Sequence, residues 1–277
     1  MASYLRPIAL DAALAALALA PRTILAGGTD FYPARVGGPV VDDVLDITAL
    51  PGLRRIEETE SGWRIPALAT WTDLVEAKLP PLFDGLKAAA REIGGVQIQN
   101  AGTVCGNVCN ASPAADGIPN LLALDATVEL ASAAGARTLS IAAFVLGNRR
   151  TALRPHEMVL AIRVPRPRHA ARSTFLKLGA RRYLVISIAM VAAVVDVEAG
   201  RIAAARVAVG ACGPVAARLP ALEAALAGRT ANDAIADIPD PSHLQPLSPI
   251  DDVRGTAAYR LDATLALVRR ALAALVA

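Results

Sequence analysis

The sequence has few aromatic residues and no stretch dominated by one charge. Phe, Trp and Tyr together make up 4% of its 277 residues, and the formal net charge at pH 7 is +3. The arginines occur as isolated pairs, such as Arg149-Arg150 and Arg181-Arg182, and form no continuous basic stripe. Because base stacking needs aromatic side chains and phosphate binding needs clustered positive charge, these absences argue against a nucleic-acid-binding protein.

Cysteine is also scarce. Cys105, Cys109 and Cys212 are too few for a disulfide framework. No C-x-x-C pair and no Cys/His cluster with metal-ligand spacing occurs, so the sequence has no zinc or iron–sulfur signature. This cysteine usage is typical of a reducing compartment, and we expect a cytoplasmic protein.

No run of residues is apolar for long enough to cross a membrane as a helix. The longest uncharged apolar run extends from Tyr183 to Val195, which is 13 residues. A membrane-spanning helix needs about 20. We therefore expect no membrane span.

The N-terminal segment has two interpretations. Arg6 followed by IALDAALAALALA resembles a secretory signal peptide with an A-x-A cleavage site. Asp11, however, interrupts the apolar run. It would instead cap a short helix that carries Leu14, Leu17 and Ala18 on one apolar face. We favour the helix.

Strand-like and helix-like patterns alternate at short intervals along the first part of the chain. RTILAGGTD and DDVLDIT have the apolar runs of buried strands. LRRIEETESGWRIPALA is typical of a hairpin with its turn at Ser61-Gly62. Helical patterns begin at Thr70 and extend from Pro81 to Gly94. This alternation predicts an α+β fold.

The sequence Pro165-Arg166-Pro167-Arg168 marks a domain boundary, because proline stiffens and exposes the backbone. Beyond it, strand-like runs flank a turn at Gly200, and the last third of the chain is helical. We therefore predict two domains, at residues 1–169 and 170–277.

Two glycine-containing segments lie in the first domain. Gly27-Gly28 follows a predicted strand, and glycine there allows backbone N–H groups to converge on an anion such as a phosphate. A plain turn is the alternative for this segment taken alone. The sequence contains neither G-x-G-x-x-G nor G-x-x-x-x-G-K-[ST], which argues against Rossmann and P-loop sites.

The second segment, Gly102 to Asn107, adds a hydroxyl group and an amide to a further stretch of open backbone. Two such anion-binding loops in one domain would suit a diphosphate. Ser112-Pro113-Ala114-Ala115-Asp116 then offers a rigid turn with a carboxylate acceptor for ribityl or ribose hydroxyls. Asp116 has a second interpretation, as the cap of the helix that follows it.

Five stretches carry a resemblance to a known family. They are AGGTD, IQNAGTVCGNVCNASPAADGIPNLLALDA, TALRPHEMVLAIRVP, FLKLGARRYLVISIAMVAA and DDVRGTAAYR, in that order. The chain resembles, over nearly its whole length, the FAD-binding medium subunit of molybdenum hydroxylases, the xanthine dehydrogenase and aerobic carbon monoxide dehydrogenase family. The resemblance implies a PCMH-type FAD-binding domain with lobes at about 1–54 and 55–169. It also implies a smaller C-terminal domain with an antiparallel sheet and helices.

The resemblance also implies the residues that bind FAD. The first diphosphate segment comprises Ile24, Leu25, Ala26, Gly27, Gly28, Thr29, Asp30 and Phe31, and the second comprises Thr103, Cys105, Gly106 and Asn107. Asp116 would hydrogen-bond the cofactor, and Lys177 would lie at the flavin edge. Ile93 would lie near the flavin, and Val159 and Leu160 would pack on the isoalloxazine. The loop from Arg181 to Leu184 is where an external acceptor would approach.

The implied function is electron transfer. A molybdopterin-binding large subunit would hydroxylate the substrate, and two [2Fe-2S] clusters in a small subunit would carry electrons to the FAD of this chain. NAD, a quinone or oxygen would accept them, and the complex would be a dimer of heterotrimers. We expect no catalytic acid–base pair and no metal ligand in this chain. The alternatives are an assembly subunit that has lost FAD and a free-standing NADH-flavin reductase.

Cys105 stands where the family usually has glycine, and three interpretations remain open. Cysteine is small and would be tolerated unless the position requires a positive φ. Alternatively it weakens FAD binding, or it is a reactive thiol, although a nearby diphosphate would suppress the thiolate. We predict that the Cys105 backbone N–H faces the diphosphate and that Cys105→Gly leaves FAD binding intact or tighter.

Overall fold

Short strands and helices alternate along the chain, as the sequence predicts. The structure is a computed structural model that describes residues 2–276. The strands are β1 (Tyr4–Leu5), β2 (Thr23–Leu25), β3 (Val44–Asp46), β4 (Glu57–Thr59), β5 (Gly62–Pro66), β6 (Thr127–Ser132), β7 (Gly135–Ser140), β8 (Val145–Gly147), β9 (Arg150–Thr151), β10 (Met158–Pro165), β11 (Ala170–Leu178), β12 (Ala189–Glu198), β13 (Arg201–Gly210) and β14 (Ala217–Arg218). The α-helices are α1 (Leu10–Leu19), α2 (Trp71–Glu76), α3 (Asp84–Glu92), α4 (Val96–Ala101), α5 (Val104–Asn110), α6 (Gly117–Ala123), α7 (Ile141–Phe144), α8 (Pro220–Leu226) and α9 (Ala257–Val276). Short 3-10 helices lie at Pro33–Arg35, Pro81–Phe83, Asp233–Asp237 and Pro241–Leu244.

The first sheet is parallel, in the order β1-β3-β2, and α1 packs against it. The predicted N-terminal helix is confirmed, but its buried residues are Ala13, Ala16 and Leu17, whereas Ala18 is exposed. Asp11 is not the cap. It lies in the first turn, and the capping position is Ala9, whose side chain makes no hydrogen bond. The helix therefore starts at Leu10, before Asp11 and not after it.

The second sheet is antiparallel, in the order β4-β5-β10-β6-β7. The hairpin β4–β5 is confirmed, although its turn lies at Glu60-Ser61, because Thr59 pairs with Gly62. The helix predicted from Thr70 is also confirmed. Thr70 caps α2 by accepting a hydrogen bond from the backbone N–H of Asp73, whose carboxylate accepts one from the N–H of Thr70.

The third sheet, β11-β12-β13-β14, is antiparallel, and Ala199 and Gly200 form the tight β12–β13 turn with positive φ. Its two faces belong to two hydrophobic cores. Along β12, Met190 and Ala192 belong to the core that also contains residues of α3 and α6, whereas Val191 contributes to the core beneath α8 and α9. The strand therefore reads as a nearly continuous apolar run, which is typical of a sheet covered on both sides.

The predicted boundary at residues 169 and 170 falls between β10 and β11, and the hydrophobic core is continuous across it. The α+β class, with a C-terminal antiparallel sheet and helices, is confirmed. Within residues 2–276, no helix combines the length and the apolar character needed to cross a membrane.

Candidate functional site

The two glycine segments meet in space. An alanine Cβ at Gly27 would lie 1.8 Å from the carbonyl oxygen of Ala101, so only glycine allows the backbones to approach this closely. Gly28 has a φ of +73°, in the left-handed region. On the other side, a Cβ at Gly102 would lie 2.9 Å from the carbonyl oxygen of Ile98 and 3.2 Å from Thr29 Oγ1. We call the contact between Gly27-Gly28 and Gly102-Thr103 the glycine junction.

The sequence predicts an open loop at the second segment. The structure instead has the start of a helix there. Thr103 caps α5, because its Oγ1 accepts a hydrogen bond of 2.9 Å from the backbone N–H of Gly106. Val104 and Val108, four residues apart, are both buried. This apolar i,i+4 pair draws the segment into helix against the core, so only Gly102 and Thr103 connect α4 to α5.

Cys105 therefore lies in the first turn of a helix, where φ is not positive. Its side chain is 3% exposed, and Sγ lies 3.6 Å from the carbonyl oxygen of Ile65. Burial raises the pKa of the Cys105 thiol well above its ordinary value. This environment supports the interpretation of a tolerated small residue and argues against a reactive thiolate.

Two adjacent cavities surround the glycine junction. The larger has a volume of about 540 Å³, and the smaller about 430 Å³. Their common wall consists of Ile24, Ala26, Thr103, Gly106 and Cys109. Both are within the size range of small-molecule sites.

Most of the predicted FAD residues border these cavities. The larger cavity is bordered by all eight residues from Ile24 to Phe31 and by Ile93, Thr103, Gly106 and Asn107. The smaller is bordered by Cys105 and Val159 in addition to the common wall. Ile93 and Val159 thus border different cavities. The buried Leu160 packs in the core with α1 and β3.

Asp116 and Lys177 border neither cavity but contact each other behind the larger one. Lys177 Nζ lies 2.6 Å from Asp116 Oδ2, and Ser187 Oγ donates a hydrogen bond of 2.6 Å to Asp116 Oδ1. All three side chains are buried or nearly so. Burial raises the pKa of the Asp116 carboxyl, and the adjacent Lys177 ammonium opposes that rise. The helix-cap interpretation of Asp116 is wrong, because its side chain makes no capping bond to α6.

A chain of hydrogen-bonded polar side chains, which the sequence does not predict, lies at the edge of the larger cavity. Asn110 Nδ2 donates to Asp30 Oδ1 at 3.0 Å, and Arg149 Nη1 donates to Asn110 Oδ1 at 3.2 Å. Arg149 has a φ of +53°, an unusual value for arginine, and its backbone N–H donates to the carbonyl oxygen of Ala111. The β8–β9 hairpin brings it here from 39 positions beyond Asn110, so no local sequence signal could have indicated it.

A second arginine of the larger cavity is neutralised. Arg35 lies 2.7 Å from Asp42 Oδ2, and its guanidinium stacks 3.9 Å from the centre of the Phe31 ring. Arg149 has no carboxylate within ion-pair distance among the described residues. Arg149 is therefore the positive charge of this cavity that remains available to an anionic ligand.

The residues present fit FAD. Asn107 borders the larger cavity, and its Oδ1 is buried without a hydrogen-bond partner within residues 2–276. A buried acceptor without a partner needs a hydrogen-bond donor from a ligand or a water molecule. The glycine junction adds backbone that a diphosphate can approach, since neither Gly27 nor Gly28 has a side chain to block it. In the described part of the chain, no group of three or more His, Cys, Asp or Glu residues is placed to hold a metal ion.

Comparisons with known proteins identify the family of the chain. The family model "FAD binding domain in molybdopterin dehydrogenase" matches residues 1–167, and "CO dehydrogenase flavoprotein C-terminal domain" matches residues 174–275. The chain is 32% identical to the nicotine 6-hydroxylase medium subunit of Paenarthrobacter nicotinovorans, over 90% of this chain and 88% of that subunit. It is 30% identical to a putative xanthine dehydrogenase FAD-binding subunit of Escherichia coli, over 100% of this chain and 96% of the relative.

A solved structure has the same fold. A chain of the carbon monoxide dehydrogenase from Hydrogenophaga pseudoflava superimposes with a TM-score of 0.86 at 29% identity, covering 99% of this chain and 96% of that one. The family models together span both halves of the molecule, and the two relatives match over 88% and 96% of their own length. The chain therefore belongs to the family of FAD-binding subunits of molybdopterin dehydrogenases.

Proposed function

We propose that the glycine junction and its two cavities hold FAD, and that this chain passes electrons from a partner subunit to an external acceptor. The observation that carries the proposal is the close approach of Gly27 to Ala101, beside a buried Asn107 Oδ1 that lacks a partner. FAD, when bound, supplies the redox chemistry, and the protein supplies binding, orientation and electrostatics.

The position of each cavity supports an assignment of roles. The diphosphate would lie at the glycine junction, between the two cavities, with Thr29 and Thr103 as hydroxyl donors. Ile93 would contact the flavin end in the larger cavity. Val159 would contact the adenosine end in the smaller cavity, and Leu160 would support it from the core. Arg149 would supply a positive charge toward the phosphates at the cavity edge.

Asp116 and Lys177 would act at the flavin end. Both oxygens of the Asp116 carboxylate are already engaged, by Ser187 and by Lys177. One hydrogen bond leaves the Lys177 ammonium with two further N–H donors. Asp116 would therefore orient Lys177, and Lys177 would direct a positive charge toward the flavin edge.

We further propose the partners and the setting. Several relatives are named FAD-binding subunits, medium subunits or medium chains, which indicates complexes of several subunits. Partners that hold molybdopterin and two [2Fe-2S] clusters, in a dimer of heterotrimers, would account for the electron source. NAD, a quinone or oxygen would be the acceptor, approaching near Arg181 to Leu184. The three unpaired cysteines support a cytoplasmic setting.

We also propose a division into an FAD-binding domain at residues 1–169, with lobes at about 1–54 and 55–169, and a C-terminal domain at 170–277. The core of α1 and β3 supports the first lobe, and Ala131, Met158 and Leu160 of the second sheet also contribute to that core. The two family models meet between residues 167 and 174, which supports the domain boundary.

The flavin content of the purified chain tests the proposal. We expect a yellow protein with about one equivalent of FAD, either as isolated with its copurifying subunits or after reconstitution. A colourless protein that takes up no FAD would contradict the proposal and favour an assembly subunit. Bleaching of the flavin by NADH in the chain alone would favour a free-standing reductase, and its absence would exclude that alternative.

A further inference from the structure

Arg260 is a charged residue in the interior of the C-terminal half. It lies in the first turn of α9 and is 3% exposed. Its Nη2 forms an ion pair of 2.6 Å with Asp252 Oδ1, and its Nη1 donates to the carbonyl oxygens of Ile188 and Ala211 at 2.6 and 3.1 Å. Burying such a pair gains little stability over an apolar side chain of similar size. The contacts of Arg260 with two distant segments, at Ile188 and at Ala211, therefore need another explanation.

The first of these segments leads to Asp116. Ile188 directly follows Ser187, whose hydroxyl donates to Asp116 Oδ1. The backbone N–H of Ile188 also donates to the carbonyl oxygen of Leu178, the residue after Lys177. Arg260 thus holds the base of the loop at residues 179–187, at the point where Ser187 and Lys177 converge on the Asp116 carboxylate.

The second segment leads to the wall of the larger cavity. Ala211 has a φ of +62°, and its backbone N–H donates to the carbonyl oxygen of Pro113 at 3.0 Å. Pro113 lies between Ser112 and Ala114, which both border that cavity, and the turn ends at Asp116. Arg260 is therefore connected to the surroundings of Asp116 by two separate sets of hydrogen bonds, one through Ile188 and one through Ala211.

We infer that Arg260 is a positioning residue of the FAD site: from the C-terminal helix it holds the two segments that orient Asp116 and, through it, Lys177. The inference rests on the proposed function. It explains why a buried arginine, and not an apolar residue, occupies this position, because the guanidinium presents its N–H groups in a fixed planar fork that donates to two carbonyls and pairs with a carboxylate at once. Part of the flavin environment would thus be assembled by a residue outside the FAD-binding half.

Arg206 provides a matched control. Like Arg260, it is a largely buried arginine of the C-terminal half that pairs with an aspartate, Asp196, and donates to a carbonyl of the other half, at Ala123. It borders neither of the two cavities at the glycine junction. A loss of general stability would affect variants of both arginines alike, whereas a loss of positioning would affect Arg260 variants alone.

The test is FAD titration of the full chain, with any subunits that copurify, for wild type, Arg260→Met, Arg260→Lys and Arg206→Met. We expect Arg260→Met to weaken FAD binding about tenfold, to shift the flavin absorption bands and to move the flavin potential to more negative values, because Lys177 is no longer held. Arg260→Lys should recover part of the affinity, and Arg206→Met should match wild type in affinity, spectrum and potential.

Wild-type affinity, spectrum and potential in Arg260→Met would overturn the inference, as would equal losses in Arg206→Met and Arg260→Met. Should Arg260→Met fail to fold, Ser187→Ala interrupts one of the same routes, and unchanged FAD affinity and spectrum in that variant would likewise overturn it. A wild-type chain that binds no FAD contradicts the proposed function itself. Binding by wild type with no change in the variants contradicts this inference alone.

Discussion

The two glycine segments differ in what their glycines do. At Gly27 the backbones of two segments touch, and a single added carbon would lie 1.8 Å from Ala101 O. At Cys105, three residues beyond Gly102, the chain is already helical and the side chain is accommodated in the core. A glycine-rich sequence therefore mixes positions where glycine is required with positions where any small residue serves.

The largest effect is expected at the required position. Gly27→Ala should weaken FAD binding at least 100-fold, about 3 kcal/mol, because the junction cannot close around an added Cβ. FAD titration by flavin fluorescence measures this loss. Gly38→Ala is the control, since a Cβ there meets no heavy atom within 4 Å. Equal FAD affinity in both variants would refute the role of the close approach.

A smaller effect, on stability and not on binding, is expected at Cys105. Cys105→Gly should lower the free energy of unfolding by about 2 kcal/mol, from the helix propensity of glycine and the lost buried side chain. FAD affinity, measured where the protein is folded, should stay within about threefold of wild type. Urea unfolding measures the free energy of unfolding of Cys105→Gly and of the control Cys105→Ala, in which alanine is a good helix former. A specific loss of FAD binding in Cys105→Gly would show that the cysteine contacts the cofactor.

Arg149 should have a more modest effect, because it is exposed. Arg149→Met should weaken FAD binding by about 0.5–1.5 kcal/mol, and the difference from wild type should shrink at high salt, as expected for an exposed charge. Arg150→Met is the neighbouring control, because Arg150 does not border the cavity. If both variants lose affinity equally, the charge of Arg149 acts at long range and not at the site.

The smallest effect concerns the reactivity of the Cys105 and Cys109 thiols, which we expect to be low at neutral pH. Burial raises the pKa of Cys109 to about 12 and that of Cys105 well above its ordinary value, so both remain protonated and unreactive near pH 7. Alkylation by iodoacetamide, followed by mass spectrometry of the folded chain, should stay slow and rise with pH without a plateau below pH 10. A plateau near pH 7 would indicate a reactive thiolate.

The sequence was most informative where the signal was local. The strands before Gly27 and around Gly200, and the helix that begins near Thr70, follow from neighbouring residues and were predicted at or near their observed positions. The helix at Cys105 was missed because GTVCGN has the composition of a loop, and burial of Val104 and Val108 overrides that composition.

The remaining parts of the site depend on contacts between residues that are distant in the sequence. Arg149 reaches the cavity through a hairpin, and Arg260 reaches Asp116 through backbone carbonyls, which carry no sequence signal. The separation of Ile93 from Val159 into different cavities also results from tertiary packing. Such relations arise only when the sheets and the β8–β9 hairpin are packed together.

The most direct test of the central claim is an experimental structure of the chain with FAD bound. The account predicts that the diphosphate lies at the glycine junction, within hydrogen-bond distance of the backbone at Gly27-Gly28 and at Thr103 to Gly106. It also predicts Asn107 Oδ1 in contact with the cofactor. A diphosphate bound elsewhere, with Gly27 and Gly102 still packed together and Asn107 Oδ1 without a contact to FAD, would contradict it.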